Sequence, residues 1–163
     1  MDIPGNLRQF RILNSDFGIN ENLNVGNVME ENFLQNKSMN FSIRMVELYK
    51  RLSIEKHEYV MSKQILRSGT SIGANIREAK RAQSSPDFYA KLTISLKEAD
   101  ETQYWLELLN KTGYINDDIF KSVNSDCEEL IRLLVSITRT VQNKIAKTKY
   151  LRKTQNSEIR TPN

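Results

Sequence analysis

Four stretches of apolar residues recur at spacings of three and four, separated by compact turn signals, and this pattern most constrains the fold. Such spacing puts the apolar side chains on one face of an α-helix, and each face must find a partner away from water. In the first stretch Phe41, Met45, Leu48 and Leu52 share a face, and Ser38 is placed to cap the helix start. The second runs over residues 56–82, with Ile65, Gly69, Ile72, Ile76 and Ala79 on its stripe. Gly69 and Gly73 each cost a helix about 1 kcal/mol relative to Ala, so small residues there predict a close helix neighbour. The GTSIGAN segment lacks the lysine of a phosphate-binding loop and follows no strand.

Ser84-Ser85-Pro86-Asp87 is a break and restart, with Ser85 as the expected cap and Pro86 in the first turn. The third stripe is Phe88, Leu92, Ser95, Ala99, Thr102, Leu106 and Leu109, and Gly113 ends it. Asn116-Asp117-Asp118 opens the fourth, which carries Ile119, Val123, Cys127, Leu130, Leu134, Ile137, Val141 and Ile145. With six Gly and three Pro in 163 residues, few long elements are expected. The fold class is all-α, an antiparallel up-down-up-down four-helix bundle. Residues 1–28, rich in Asn, read as a disordered or non-native extension, and Met29 stands where the pattern begins. Residues 29–147 form the bundle, and residues 148–163 read as a frayed or disordered basic tail.

Several function classes are excluded or left without support. One Cys rules out an internal disulfide framework or a Cys-based zinc site, and one His rules out most His-based metal sites. Glu58 is followed three residues later by Met61, so the Glu-x-x-His pattern of di-metal bundles is absent there. No nucleophile–base pair stands out, and no cofactor or enzymatic activity is expected. No apolar run approaches 18 residues and no secretory signal is visible, which predicts a cytoplasmic protein without membrane contact. His57 reads as a solvated surface residue, and Cys127, on an apolar stripe, as a buried thiol.

The net charge of +4 and the isoelectric point near 9.2 permit an acidic partner without demanding one. The second helix is basic and the third acidic, so the two can attract each other within or between subunits. The sharper reading makes Arg77, Lys80 and Arg81, with Lys63, a nucleic-acid contact. Gln64, Arg67, Ser71, Asn75 and Glu78 form a polar line on the second helix, with Glu98 and Glu101 on the third available to it. That line reads as a network fixing helix register, as a subunit interface, or as a ligand site. Tyr104 and Trp105 are consecutive and cannot share a seam, so one of them is exposed or lies at a subunit contact.

The run Gln64-Ile65-Leu66-Arg67-Ser68-Gly69-Thr70-Ser71-Ile72-Gly73-Ala74-Asn75-Ile76, followed by Glu78-Ala79, carries a family resemblance. So do Lys37-Ser38 and Phe41, Gln83-Ser84, Asp87-Phe88, Ile94, Leu96-Lys97-Glu98-Ala99, Glu101-Thr102 and Tyr104-Trp105-Leu106. Over residues 29–147 the chain resembles the bacterial four-helix-bundle proteins related to those encoded in intervening sequences of 23S ribosomal RNA genes. It is similar in fold to the accessory variability protein of diversity-generating retroelements. The resemblance implies a small non-enzymatic homo-oligomer, with a pentamer as the related form, whose basic surface contacts RNA or DNA. It also implies a second reading, a scaffold or adaptor for a protein partner such as a reverse transcriptase.

Overall fold

Amphipathic helices of this length hold together only by burying their stripes against one another. The computed structural model describes residues 24–158, and all four elements in it are helices. They are α1 (Asn24–Glu55), α2 (Met61–Ala79), α3 (Ser85–Lys111) and α4 (Asp117–Glu158). Each packs against the next in sequence, most extensively α2 on α3, and α1 and α4 close the bundle along a thinner seam. The stripes meet in one core, where Phe41, Met45, Ile65, Ile72, Leu92, Leu106 and Leu134 are almost completely shielded from solvent. Full burial of side chains this size stabilises by about 1.5–3 kcal/mol each.

The turn chemistry sets the element ends. Ser84, not Ser85, caps α3: its hydroxyl accepts from the Asp87 amide at 3.3 Å, and the Asp87 carboxylate accepts from the Gln83 amide at 3.1 Å. This reciprocal pair satisfies two amides at once and shifts the cap one residue earlier than expected. Asn116 caps α4 by accepting from the Ile119 amide at 3.0 Å. Gly113, at φ +76°, turns the chain out of α3, and the Tyr114 amide donates back to the Leu109 carbonyl.

Three expectations about element ends are corrected. Ser38 does not start a helix, because α1 is already helical from Asn24 and crosses the 28/29 boundary. Ser38 is buried on the same face as Leu34 and Phe41, and its hydroxyl donates to the Gln35 carbonyl at 2.9 Å. The start of the expected extension, residues 1–23, lies outside the described residues. The second helix begins at Met61 and ends at Ala79 instead of covering 56–82, because Glu58 organises a separate turn before it. The expected frayed tail is helical through Glu158, with residues 159–163 outside the described residues.

The bundle is antiparallel throughout. The Cys127 thiol faces the Ala99 carbonyl at 3.5 Å, and Gln103 donates to Asn124 at 3.2 Å, which sets α3 against α4. By that register the start of α3 stands about level with Val141. On the other side Lys37 pairs with Glu129 at 2.6 Å, and Arg44 pairs with Asp126 and donates to the Ser122 hydroxyl. The start of α1 is therefore about level with Asn143. Helix α4 has 42 residues and spans about 63 Å, so its last part runs past the ends of both neighbours.

Candidate nucleic-acid interface

The end of the bundle that holds the last turn of α2 also holds the far part of α4. Arg77 and Arg81 are exposed there, and Lys80 is half-buried between them. Arg77 also borders a shallow groove of about 310 Å³ between α1 and α2, lined by Gln35, Ser38, Met39, Ser42 and Gly73. The structure does not bring Lys63 to this end. It sits fourteen residues earlier on the same helix, about 21 Å away along the axis. Among the described residues none of these four cations is held in an ion pair.

The polar line on α2 splits into separate local interactions. Arg67 bonds Glu101 directly, approaches Glu98 at 3.6 Å, and donates to Gln64 at 3.5 Å. Trp105 donates from Nε1 to the same Glu101 carboxylate at 3.2 Å. The hydrogen bond from Arg67, opposed by partial burial and aided by Trp105, holds the Glu101 carboxyl below the usual carboxylate range. Asn75 does not join. Its amide turns back to the Ser71 carbonyl of its own helix at 2.9 Å. Glu78 instead pairs across the bundle with Lys91 at 2.6 Å. Arg67 is 53 % exposed, so this cluster ties α2 to α3 from outside and contributes little to stability.

The polar groups that occupy the α2–α3 interior are small hydroxyls. The Thr102 hydroxyl lies 2.7 Å from the Glu98 carbonyl and 2.9 Å from the Ser68 hydroxyl. With one proton, it donates to the carbonyl and accepts from Ser68. Ser95 donates to the Ile72 carbonyl at 3.0 Å, crossing between the helices. Periodicity placed Ser95 and Thr102 on the buried stripe, and Ser68 joins them there.

Tyr104 is exposed, and Trp105 is half-buried against the core with its ring edge-on to Tyr104 at 5.1 Å. His57 is exposed at φ +52°, with Nδ1 3.2 Å from the Tyr59 hydroxyl. Burial, together with nearby Asp100, Glu128 and Asp126, pushes the Cys127 thiol up to about 12. Among the described residues no group of three or more His, Cys, Asp or Glu side chains is placed to hold a metal ion. Nor is any helix there long and apolar enough to cross a membrane.

Two features escaped the sequence reading. Glu58 entered there only as the start of an absent Glu-x-x-His pattern, yet it is 6 % exposed and accepts from the amides of Val60, Met61 and Ser62 at 2.6–2.9 Å. Burial raises its affinity for a proton, but those amides outweigh burial and hold the carboxyl below its ordinary value. Asp or Glu just before a helix is the weak signal that could have found it. The second is the continuation of the helix beyond Lys147 to Glu158. The continued stripe through Val141 and Ile145, uninterrupted by Gly or Pro until Pro162, was the available signal.

The fold and its helix-to-helix polar contacts define a four-helix bundle protein. Residues 30–136 match the family model described as 23S rRNA-intervening sequence protein, and the chain belongs to that family. A crystal structure of a protein of unknown function from the S23 ribosomal protein family of Bacteroides thetaiotaomicron is 57% identical, with a TM-score of 0.67. That match covers 68% of this chain and 98% of the Bacteroides chain. No curated protein matches this sequence.

Proposed function

We propose that this chain is a non-enzymatic, oligomeric binding protein that contacts RNA or DNA through the cationic end of its bundle. The observation that carries the reading is the group Arg77, Lys80 and Arg81, which have no carboxylate partner among the described residues where α2 ends. Elsewhere on α2 and α3 the charges compensate each other, as Arg67 with Glu98 and Glu101, and Lys91 with Glu78. Cations left free in this way can release counterions from a phosphate backbone.

Two further observations support the non-enzymatic and oligomeric parts. The one His is an exposed turn residue, and the one Cys is a buried thiol that keeps its proton, so neither is poised for catalysis. Met39, Ile43 and Val46 follow helical spacing on α1 and are 44%, 50% and 38% exposed, an apolar strip suited to a second copy. Repetition of the basic end around an oligomer multiplies its field.

The test is binding of labelled RNA and DNA across a salt series by the wild type and by the triple variant Arg77→Glu, Lys80→Glu, Arg81→Glu. The expected result is weaker binding and a flatter salt dependence in the variant. Binding by the variant that matches the wild type at every salt concentration contradicts the placement of the site.

A further inference from the structure

We propose that the projecting part of α4, residues 144–153, with Arg139 at its base, is an arm that lies in the major groove of duplex DNA. The inference rests on the nucleic-acid reading above and deepens it, naming a second contact element and the form of nucleic acid it fits. Residues 139–153 contain Arg139, Lys144, Lys147, Lys149, Arg152 and Lys153 and no acidic residue. None of the described cations among them is held in an ion pair. Every residue from Ala146 to Leu151 is exposed, past the point where α1 and α3 begin. The family match covers residues 30–136 and does not reach this arm.

A strongly basic helix that leaves its bundle needs a reason to stay soluble and extended, and a polyanion supplies one. The distribution of charge then selects among polyanions. At about 100° per residue, Arg139, Lys144, Lys147, Lys149 and Lys153 spread over about 220° of the helix circumference, with Lys147 and Lys149 on nearly opposite sides and only the sector of Val141, Ile145 and Thr148 left without them. A bilayer surface meets one side of a helix and requires a continuous apolar side opposite the charges. Here the apolar seam of α4 ends at Ile145 and its next position is Thr148, while Tyr150 and Leu151 point away from that seam in different directions.

A groove with phosphates on both walls engages opposite sides of a helix at once. The major groove of B-form DNA is about 12 Å wide and admits a helix of about 10–12 Å diameter. The major groove of A-form RNA is too narrow and deep for it. The ten helical residues beyond the neighbours extend about 15 Å, enough to follow the groove past phosphates on each wall. The basic group at the end of α2 stands at the base of the arm, where it can meet the flanking backbone.

The experiment uses the full-length chain and measures binding to labelled duplex DNA, to duplex RNA of the same sequence, and to phosphatidylserine vesicles across a salt series. The arm variant carries Gln at Arg139, Lys144, Lys147, Lys149 and Lys153, a change that keeps helix propensity high. It is expected to bind duplex DNA at least tenfold more weakly at low salt. The slope of log affinity against log salt should flatten by up to about 4.5, at about 0.9 for each of the phosphates that the five cations no longer neutralise. Duplex RNA binding should change much less. A variant with the four lysines changed to Arg should keep the wild-type slope, and the milder Lys147→Gln/Lys149→Gln pair should flatten it partway.

An arm variant that keeps the wild-type slope while the α2 triple variant loses it overturns the arm and leaves the nucleic-acid reading standing. Equal losses on DNA and RNA overturn the groove assignment. Loss of vesicle binding with DNA binding intact assigns the arm to a membrane and overturns the proposal. A wild type that binds neither nucleic acid at low salt overturns both readings.

Discussion

Replacing Gly69 with Ala sets two effects of known sign against each other. Ala is the better helix former by about 1 kcal/mol, and α2 is helical on both sides of this residue. A Cβ at Gly69 would overlap Met45 Cγ and stand 2.9 Å from its Sδ and 3.3 Å from its Cβ. Met45 is completely buried, so its side chain can retreat only by displacing packed core atoms. Overpacking of this kind costs about 1–3 kcal/mol. The expected result is a net loss of about 1 kcal/mol, although the substitution raises helix propensity. Gly73→Ala is the comparison: its Cβ would meet Ser42 Oγ at 3.0 Å and the Ser38 carbonyl at 3.4 Å, and it should change stability much less. Urea unfolding followed by far-ultraviolet circular dichroism measures both. A Met45→Ala background, itself costing about 2–5 kcal/mol, removes the obstruction and should turn Gly69→Ala stabilising. The coupling between the two positions should be about 2 kcal/mol. If Gly69→Ala stabilises the wild type and the double variant equally, the close approach of α1 and α2 is not what requires glycine there.

Other expectations follow from individual side chains. Glu58→Ala should cost about 2 kcal/mol, as expected for a lost cap with charge-assisted bonds, and shift the unfolding midpoint accordingly. Because the folded carboxyl is held below its ordinary value of 4.5, its contribution is complete above that pH and fades as acid protonates it. The stability gap between wild type and Glu58→Gln should therefore narrow below pH 4.5. Cys127, its thiol pushed up to about 12, should resist alkylation at mildly alkaline pH in the folded protein and react once urea unfolds it. Arg67→Ala should cost less than about 1 kcal/mol, and less still in high salt, because the guanidinium is half exposed.

The core was legible because a helix repeats on a fixed period. Each buried stripe from Phe41 to Leu134 follows that period, and the small residues at Gly69 and Ser95 mark where helices come close. The ends of helices were harder to place. Ser38 and Ser85 have the right side chain for a cap, but a cap also needs a non-helical backbone, and tertiary packing decides that. Ser38 sits on the seam with Leu34 on the turn before it, while Ser84 gains the reciprocal bond with Asp87. Glu58 was unreadable as a buried group because its burial is set by a turn, outside any periodic stripe.

The candidate site was legible in part. The charges of Arg77, Lys80 and Arg81 are plain in the sequence, and so is the pairing of Arg67 with the acids of the third helix. Placing Lys63 with the first three failed because charge composition carries no position along a helix axis. The basic residues after Lys147 were read as a tail because high charge suggests disorder when no partner helix is in view. Their position relative to Arg77 and Arg81 depends on the register of α3 against α4 and on how far α4 outruns its neighbours, which the fold supplies.

The most direct test of nucleic-acid binding by the bundle end joins the solution mass of the purified chain to its affinity for labelled DNA and RNA across a salt series. The account predicts a closed oligomer whose affinity falls steeply as salt rises. A monomer, or an oligomer that binds neither nucleic acid at low salt, would contradict it.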